Sequence, residues 1–471
     1  MIKLFAKLSA NLKNFKAAKA ALFGAGVFLI VYFLQINLVI ALFLVALYAY
    51  FKKRCLNIRS CNALNLVFLF LLIFTLCYFI LKERWPIFFL PFSFLPLLVT
   101  LLFSSLELSL ILNLALAISL AAYSANPFAL FLFFLFGAVF ASIFTFGARR
   151  RTTVIRAGLF TGILQAAALV FLEHFWIGQP LRYLILAVNS LACSVIVLGA
   201  LPIFEYLFNN ITNISLLELA DFHHPLLQRM IMEAPGTYHH SLVVGNLSES
   251  ACRAVGANAL LARIGAYYHD IGKLSKPGYF SENQEVSESK HDNLTPTISK
   301  MIIMNHVKEG VELAKKYKLG AALQDFIQEH HGKSLVYYFY RRALEALEED
   351  HEVKEEGFRY PGPKPNTKET AVVLLADSVE AATRALKDPS PAKVEELVHK
   401  VINNKFIDGQ LDECDLTLKD LEKISAVFIR ILSGIYHSRI SYPEERNGQN
   451  LNKKPAKENP HQSQKDKKSN P

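Results

Sequence analysis

From Ala20 to Phe208 the chain is almost continuously apolar, and from Asn209 onward it reads like a soluble protein. A helix needs about 20 apolar residues to cross a bilayer. Apolar segments near that length lie at 20–34, 36–51, 62–81, 85–103, 106–123, 127–146, 153–173 and 180–207. The first two are short and divided only by Gln35-Ile36-Asn37. Charge arbitrates between a hairpin and one long tilted helix. Lys3, Lys7, Lys13, Lys16 and Lys19 precede the first segment, Lys52, Lys53, Arg54 and Arg59 follow the second, and Arg149, Arg150, Arg151 and Arg156 follow the sixth. Basic clusters collect on the cytoplasmic side, so an even number of spans separates each pair. Two spans, then four, then two more give eight, with both termini cytoplasmic. Lys82 and Arg84 fall on the outer side and count against this count.

The beginning of the chain does not read as a cleaved signal, because no small-residue cleavage site leads into a soluble domain. No ionisable residue recurs at mid-span, which leaves a transporter without residue-level support. Gly24, Gly26, Gly137 and Gly162 read as close helix packing. The net charge of +10 raises nucleic acid as a partner. Much of the basic excess, however, flanks the apolar spans and the rest sits in the C-terminal tail, so no DNA or RNA polymer is expected. The six cysteines are scattered and contain no CxxC, which argues against a zinc ribbon or disulfide framework and fits a reduced cytosolic face.

Beyond the apolar half, "SLVVGNLSESACRAVG", "NALLARIGAYYH", "GVELAKKY" and "TAVVLLADSVEAATRAL" carry helical periodicity, and no long alternating run appears. The expectation is an all-α chain: a basic cytoplasmic N-terminus at 1–19, a helical membrane domain at 20–208, a cytoplasmic helical domain at 209–443 and a disordered tail at 444–471.

Ten of the fourteen histidines fall between His223 and His351, a concentration that tail composition does not explain. His269 and Asp270 are adjacent at the end of an apolar helix. His240 lies upstream, His306 downstream, and His330-His331 forms a second adjacent pair before Gly332. Asp377 interrupts "VVLLADSVEAA", where a carboxylate on an apolar face is costly unless paired or bound to metal. Five imidazoles and two carboxylates suit two divalent metals, and the donor types favour iron or manganese over a closed structural zinc site. Two such ions activate a bridging hydroxide and offset the charge of phosphoryl displacement. Lys273, one turn after Asp270, is placed to meet a substrate phosphate. Each residue alone has an ordinary explanation: a core or surface histidine, a helix-end pair, an N-cap or buried salt bridge, a solvated lysine. A single ordinary explanation would have to cover all seven metal-type positions together. His223, His224, His239, His291 and His351 read as structural.

These residues spell "H…HD…H…HH…D", which resembles the signature of the HD phosphohydrolase superfamily. Longer strings, among them "LLELADFHHPLLQRMIMEAPGTYHHSLVVGNL", "NALLARIGAYYHDIGK", "EHHGKSLVYYFYRRA" and "FRYPGPKPNTKETAVVLLADSVEAATRAL", resemble the membrane-bound 7TM-HD family of cyclic di-AMP phosphodiesterases. The resemblance covers the last spans and the whole soluble part. It implies one metal held by His240, His269, Asp270 and Asp377, and a second held by Asp270, His306, His330 and His331, with Asp270 bridging. It further implies hydrolysis of cyclic di-AMP to the linear pApA, in a bilayer, by a chain able to form a homodimer. Members of that family usually carry a large extracytoplasmic domain after the first span. Here only "LQIN" divides the first two segments, so external sensing through such a domain is not expected. Two other readings stay open on the residues: an HD hydrolase of another nucleotide, such as a guanosine alarmone or a nucleoside triphosphate, and a non-catalytic membrane receptor that binds a nucleotide.

Overall fold

The computed structural model describes residues 60–435, apart from 122, 125, 173–179, 285–288, 347–352 and 387–388. The basic N-terminus, the spans expected at 20–34 and 36–51, the tail and His351 lie outside the described residues.

The apolar part consists of α1 (Ser60–Lys82), a 3-10 turn (Ile87–Phe89), α2 (Phe94–Phe103), α3 (Leu106–Ala121), α4 (Pro127–Thr145), α5 (Arg151–Leu172) and α6 (Pro180–Phe208). Among the described residues, four helical stretches are long and apolar enough to cross a membrane: Asn65–Lys82, Pro127–Thr145, Arg151–Phe171 and Pro180–Phe208.

The segment read as one span over 85–103 is broken. Pro86 and Pro91 lack the N–H a helix interior needs, and each pushes the preceding residue out of the helical region. Helix resumes only at Phe94. Ten residues at 1.5 Å each make α2 about 15 Å long, roughly half a bilayer core. The freed carbonyls of Phe88 and Leu90 accept from Asn189 Nδ2 on α6, at 3.0 and 3.2 Å. Non-helical backbone at membrane depth requires partners of this kind inside the protein.

The apolar and soluble parts meet at the end of α6. Asn209 adopts a left-handed conformation (φ 47°), and α7 (Asn213–Leu219) follows. Glu205 of α6 accepts from Thr212 N at 2.8 Å and from Ser215 Oγ at 2.9 Å. Arg151, the first residue of α5, makes a two-pronged pair with Glu218 at 2.7 and 3.1 Å.

The soluble part runs through α8 (Pro225–Glu233), α9 (Pro235–Ala254), α10 (Ala259–Tyr268), a 3-10 turn (Ile271–Ser275), α11 (Pro296–Lys316), α12 (Ala321–Glu329), α13 (Tyr337–Glu345), α14 (Lys368–Arg384), α15 (Pro391–Ile407) and α16 (Leu418–Ile435). Among the described residues the only β pairing is one isolated bridge, Leu335 to Arg359, and the fold is all-α. One hydrophobic core extends from Leu66 to Ile214 and a second from Leu216 to Leu432. α14 is the axis of the second core. A capping box between Thr367 and Thr370 starts it, and Ala371 to Ala376 are all buried. A helix apolar on every side is stable only inside other helices, and α14 packs against α9, α10, α12, α15 and α16.

Candidate metal centre

Five elements deliver side chains to one point on α14. Pro235 opens α9, where its missing N–H costs nothing, and one turn later His240 is buried while His239 is exposed. α10 ends at Tyr268; His269 keeps a helical backbone and Asp270 leaves it. The next turn must pass close under α11. A Cβ on Gly272 would lie 1.8 Å from His306 O and 2.6 Å from Gly310 N, so only glycine allows the crossing that sets His306 beside Asp270. α12 ends at Glu329, and His330 and His331 follow it, closed off by Gly332 in the left-handed region (φ 53°). Asp377 comes from the interior of α14.

The seven sequence-derived residues all meet here. Their donor atoms form two groups, each within 4.8 Å: His240, His269, Asp270 and Asp377, and Asp270, His306, His330 and His331. Asp270 is common to both, and its two oxygens face different partners. Oδ2 is 3.1 Å from His269 Nε2 and 3.6 Å from His240 Nε2. Oδ1 is 3.3 Å from His306 Nε2 and 3.6 Å from His330 Nε2. Asp377 Oδ1 lies 3.0 Å from His240 Nε2, and its Oδ2 lies 3.5 Å from His331 Nδ1.

The hydrogen bonding around this point leaves lone pairs facing lone pairs. His269 Nδ1 donates to Ala266 O (2.6 Å), His306 Nδ1 to Ile303 O (2.5 Å) and His330 Nδ1 to Ile327 O (3.0 Å). In the neutral rings each Nε2 is therefore an acceptor, yet His306 Nε2 and His330 Nε2 stand 3.1 Å apart. Among the described residues His269 Nε2 and Asp270 Oδ1 are buried without a hydrogen-bond partner, while Asp270 Oδ2 has only the Lys273 ammonium, at 2.8 Å, as a cation beside it. The His306, His330 and Asp270 Oδ1 side of the cluster, which Lys273 does not face, is unfavourable unless a further cation lies among its acceptors. Burial pushes His306 down to about 4 and, together with His330, holds His331 well below its usual value. Burial also opposes charge on Asp270, but His269 and Lys273 outweigh it and keep the carboxyl well below the usual range. His269 is opposed by burial too, yet Asp270 pushes it up to about 10. Imidazoles, ionised carboxylates and no thiolate make a donor set that fits divalent iron or manganese once an ion takes the place of the proton on His269.

Lys273 does not stand free. Its Nζ lies 2.8 Å from Asp270 Oδ2 and 2.6 Å from Glu282 Oε1. Burial disfavours its charge, but these two carboxylates outweigh burial and raise its pKa.

The whole of this centre falls within the region, residues 237–382, that matches a family profile for the HD domain. A second profile, described as a 7TM receptor with intracellular HD hydrolase, matches residues 28–212. The apolar part thus resembles the membrane part of the 7TM receptors with an intracellular HD hydrolase, and the soluble part resembles the HD domain. With its apolar helices, the chain is a membrane protein. It is 43% identical over 319 residues to the cyclic-di-AMP phosphodiesterase PgpH of Bacillus subtilis (strain 168), covering 66% of this chain and 44% of that protein. It is 40% identical over 303 residues to the PgpH of Listeria monocytogenes serotype 1/2a (strain 10403S), covering 63% and 42%. The chain thus spans less than half the length of these curated relatives. A crystal structure of the L. monocytogenes PgpH HD domain in complex with cyclic-di-AMP is 46% identical, covers 46% of this chain and all of that one, and gives a TM-score of 0.44.

Three residues of this HD centre escaped the sequence reading. Glu380, 2% exposed, accepts from His240 Nδ1 at 2.5 Å and so turns His240 Nε2 toward Asp377. Its signal was its place three residues after Asp377, on the same face of an apolar helix. Glu282 pairs with Lys273 and accepts from Thr237 Oγ1 at 3.2 Å. Tyr360 stacks on His331 with ring centroids 4.3 Å apart.

Proposed function

We propose that the chain is a multi-pass membrane phosphodiesterase that uses two divalent ions, Mn(II) or Fe(II), to hydrolyse cyclic di-AMP to pApA. The single observation that carries this reading is the position of Asp270, whose two oxygens face two different sets of imidazoles. His240, His269, Asp270 and Asp377 would hold one ion, and Asp270, His306, His330 and His331 the other. Bound there, the ions supply a water nucleophile at neutral pH and neutralise developing phosphoryl charge. The protein's own part is to hold the donors in place. Backbone carbonyls fix the tautomers of His269, His306 and His330, and Glu380 fixes that of His240. Lys273 keeps a positive charge beside Asp270, ready for a phosphate oxygen. The names and identities of the two curated relatives support cyclic di-AMP over other nucleotides.

The same reading has residues 20–208 in the bilayer and 209–443 in the cytoplasm, with both termini cytoplasmic. The Arg151–Glu218 pair supports a common side for the second basic loop and the HD domain. The deciding experiment incubates the full chain in detergent with Mn(II) and cyclic di-AMP and follows products by chromatography. The expected product is pApA, absent with chelator and in Asp270→Ala. Tight binding of cyclic di-AMP with no turnover under either Mn(II) or Fe(II) would replace the enzyme with a receptor.

A further inference from the structure

Lys273 is shared between two carboxylates with different further duties. Its Nζ stands 2.8 Å from Asp270 Oδ2 and 2.6 Å from Glu282 Oε1. Asp270 Oδ2 also faces His269 and His240, whereas Glu282 belongs to neither donor group. A second cation on Oδ2 repels the ammonium, and Glu282 is then the anion left to hold it.

Glu282 is firmly placed for this. It lies in a 3-10 turn (Ser281–Asn283), with its side chain 7% exposed. That turn is pressed against the start of α9, where a Cβ on Gly236 would lie 1.8 Å from Glu282 O. Asn283 ties the two together: its Oδ1 accepts from Thr237 N at 3.1 Å, and its Nδ2 donates to Thr237 Oγ1 at 2.8 Å. The Thr237 hydroxyl, accepting there, directs its own proton to Glu282 Oε1 at 3.2 Å. His240 follows Thr237 by three residues on α9, so the turn that carries one donor of the centre also anchors Glu282. The Phe280 ring, with its centroid 5.0 Å from Nζ, favours a cation at the same place.

We propose that Glu282 is the positioning residue for Lys273: when Asp270 Oδ2 takes a divalent ion, the ammonium stays on Glu282 at the edge of the centre and presents its charge to a phosphate oxygen. This rests on the two-ion reading above. A Glu282 that served folding alone would leave the exposure of Lys273 in Glu282→Gln indifferent to metal.

The test loads the full chain in detergent with Mn(II), or strips it with chelator, and treats it with methyl acetimidate. Mass spectrometry reads amidination of Lys273 against Lys276, which is exposed, and metal content is measured on the same samples. Lys273 is expected to be protected in the wild type in both states. In Glu282→Gln it stays protected without metal, held by Asp270, and labels about tenfold faster with Mn(II) bound, the loss of one charge-assisted hydrogen bond. Glu282→Asp, which keeps the charge, restores part of the protection. Turnover of cyclic di-AMP falls about 10²-fold in Glu282→Gln, as in Lys273→Met, and the double variant loses no more. Two Mn(II) per chain with Lys273 still protected in Glu282→Gln, or additive losses in the double variant, overturns the proposal and leaves the metal centre standing. No Mn(II) bound by the wild type overturns the centre and this role with it. If Glu282→Gln does not fold, Thr237→Val, which removes only the hydroxyl on Glu282, decides: faster labelling of Lys273 with Mn(II) supports the proposal, and labelling indifferent to Mn(II) overturns it.

Discussion

Gly272→Ala perturbs the metal centre without touching any donor atom. The added Cβ would lie 1.8 Å from His306 O, against a limit of 3.0 Å below which such contacts are essentially never seen. The 271–275 turn and α11 must therefore part by about 1.2 Å, since the opposing atoms are backbone and cannot swing aside. His306 Nε2 starts 3.3 Å from Asp270 Oδ1, so this displacement would carry it beyond the reach of an ion shared with Asp270 in the proposed centre. Overpacking of this kind costs about 1–3 kcal/mol of stability, which leaves the domain folded. A misplacement near 1 Å costs about 10²-fold in rate. The displacement is expected to fall on α11 and so to spare the group of His240, His269, Asp270 and Asp377. The expected variant thus folds with a lowered Tm, keeps one metal equivalent of two, and hydrolyses cyclic di-AMP about a hundredfold more slowly. Metal content, calorimetry and turnover on the same preparation check this. Two metals and wild-type turnover would refute the idea that the crossing at Gly272 sets His306.

Other consequences can be measured on the same protein. Glu380→Gln keeps the shape of the side chain but removes the charge that accepts from His240 Nδ1, and should weaken metal affinity by about 10–100-fold; unchanged Mn(II) titration would remove Glu380 from this role. Lys273→Met should retain both metals and lose about 10²-fold in turnover, a milder result than the complete loss in Asp270→Ala; equal loss of metal in both would make Lys273 a structural part of the centre. In the metal-free protein His269, pushed up to about 10, holds a proton throughout the neutral range, and an ion must displace it. Apparent affinity should therefore rise as pH climbs from 6 to 8, with proton release seen by calorimetry in buffers of different ionisation enthalpy; heats independent of buffer would contradict this.

The helical character of the soluble part was legible because its apolar residues recur at helical spacing, and the histidines stood out because ten of the fourteen fall between His223 and His351, one of them beside an aspartate at the end of an apolar helix. Their meeting point was legible only as a set. The helix crossing that joins His306 to Asp270 depends on Gly272, whose neighbour His306 is distant in sequence. Glu380 was visible beside Asp377, but its partner His240 lies 140 positions away. The broken segment at 85–103 was misread because hydropathy is blind to backbone. Pro86 and Pro91 interrupt the helix without lowering the apolar character, and Asn189, which satisfies the freed carbonyls, lies in another helix.

Titration of the metal-free full chain with Mn(II), read by electron paramagnetic resonance, addresses the shared carboxylate directly. In the proposed centre two ions would share the carboxylate of Asp270 and would be close enough to couple magnetically. The expected result is two Mn(II) per chain with an exchange-coupled spectrum in the wild type, and loss of the coupled signal in Asp270→Ala. A single uncoupled ion in the wild type, or a coupled pair that survives Asp270→Ala, would contradict a centre built around Asp270.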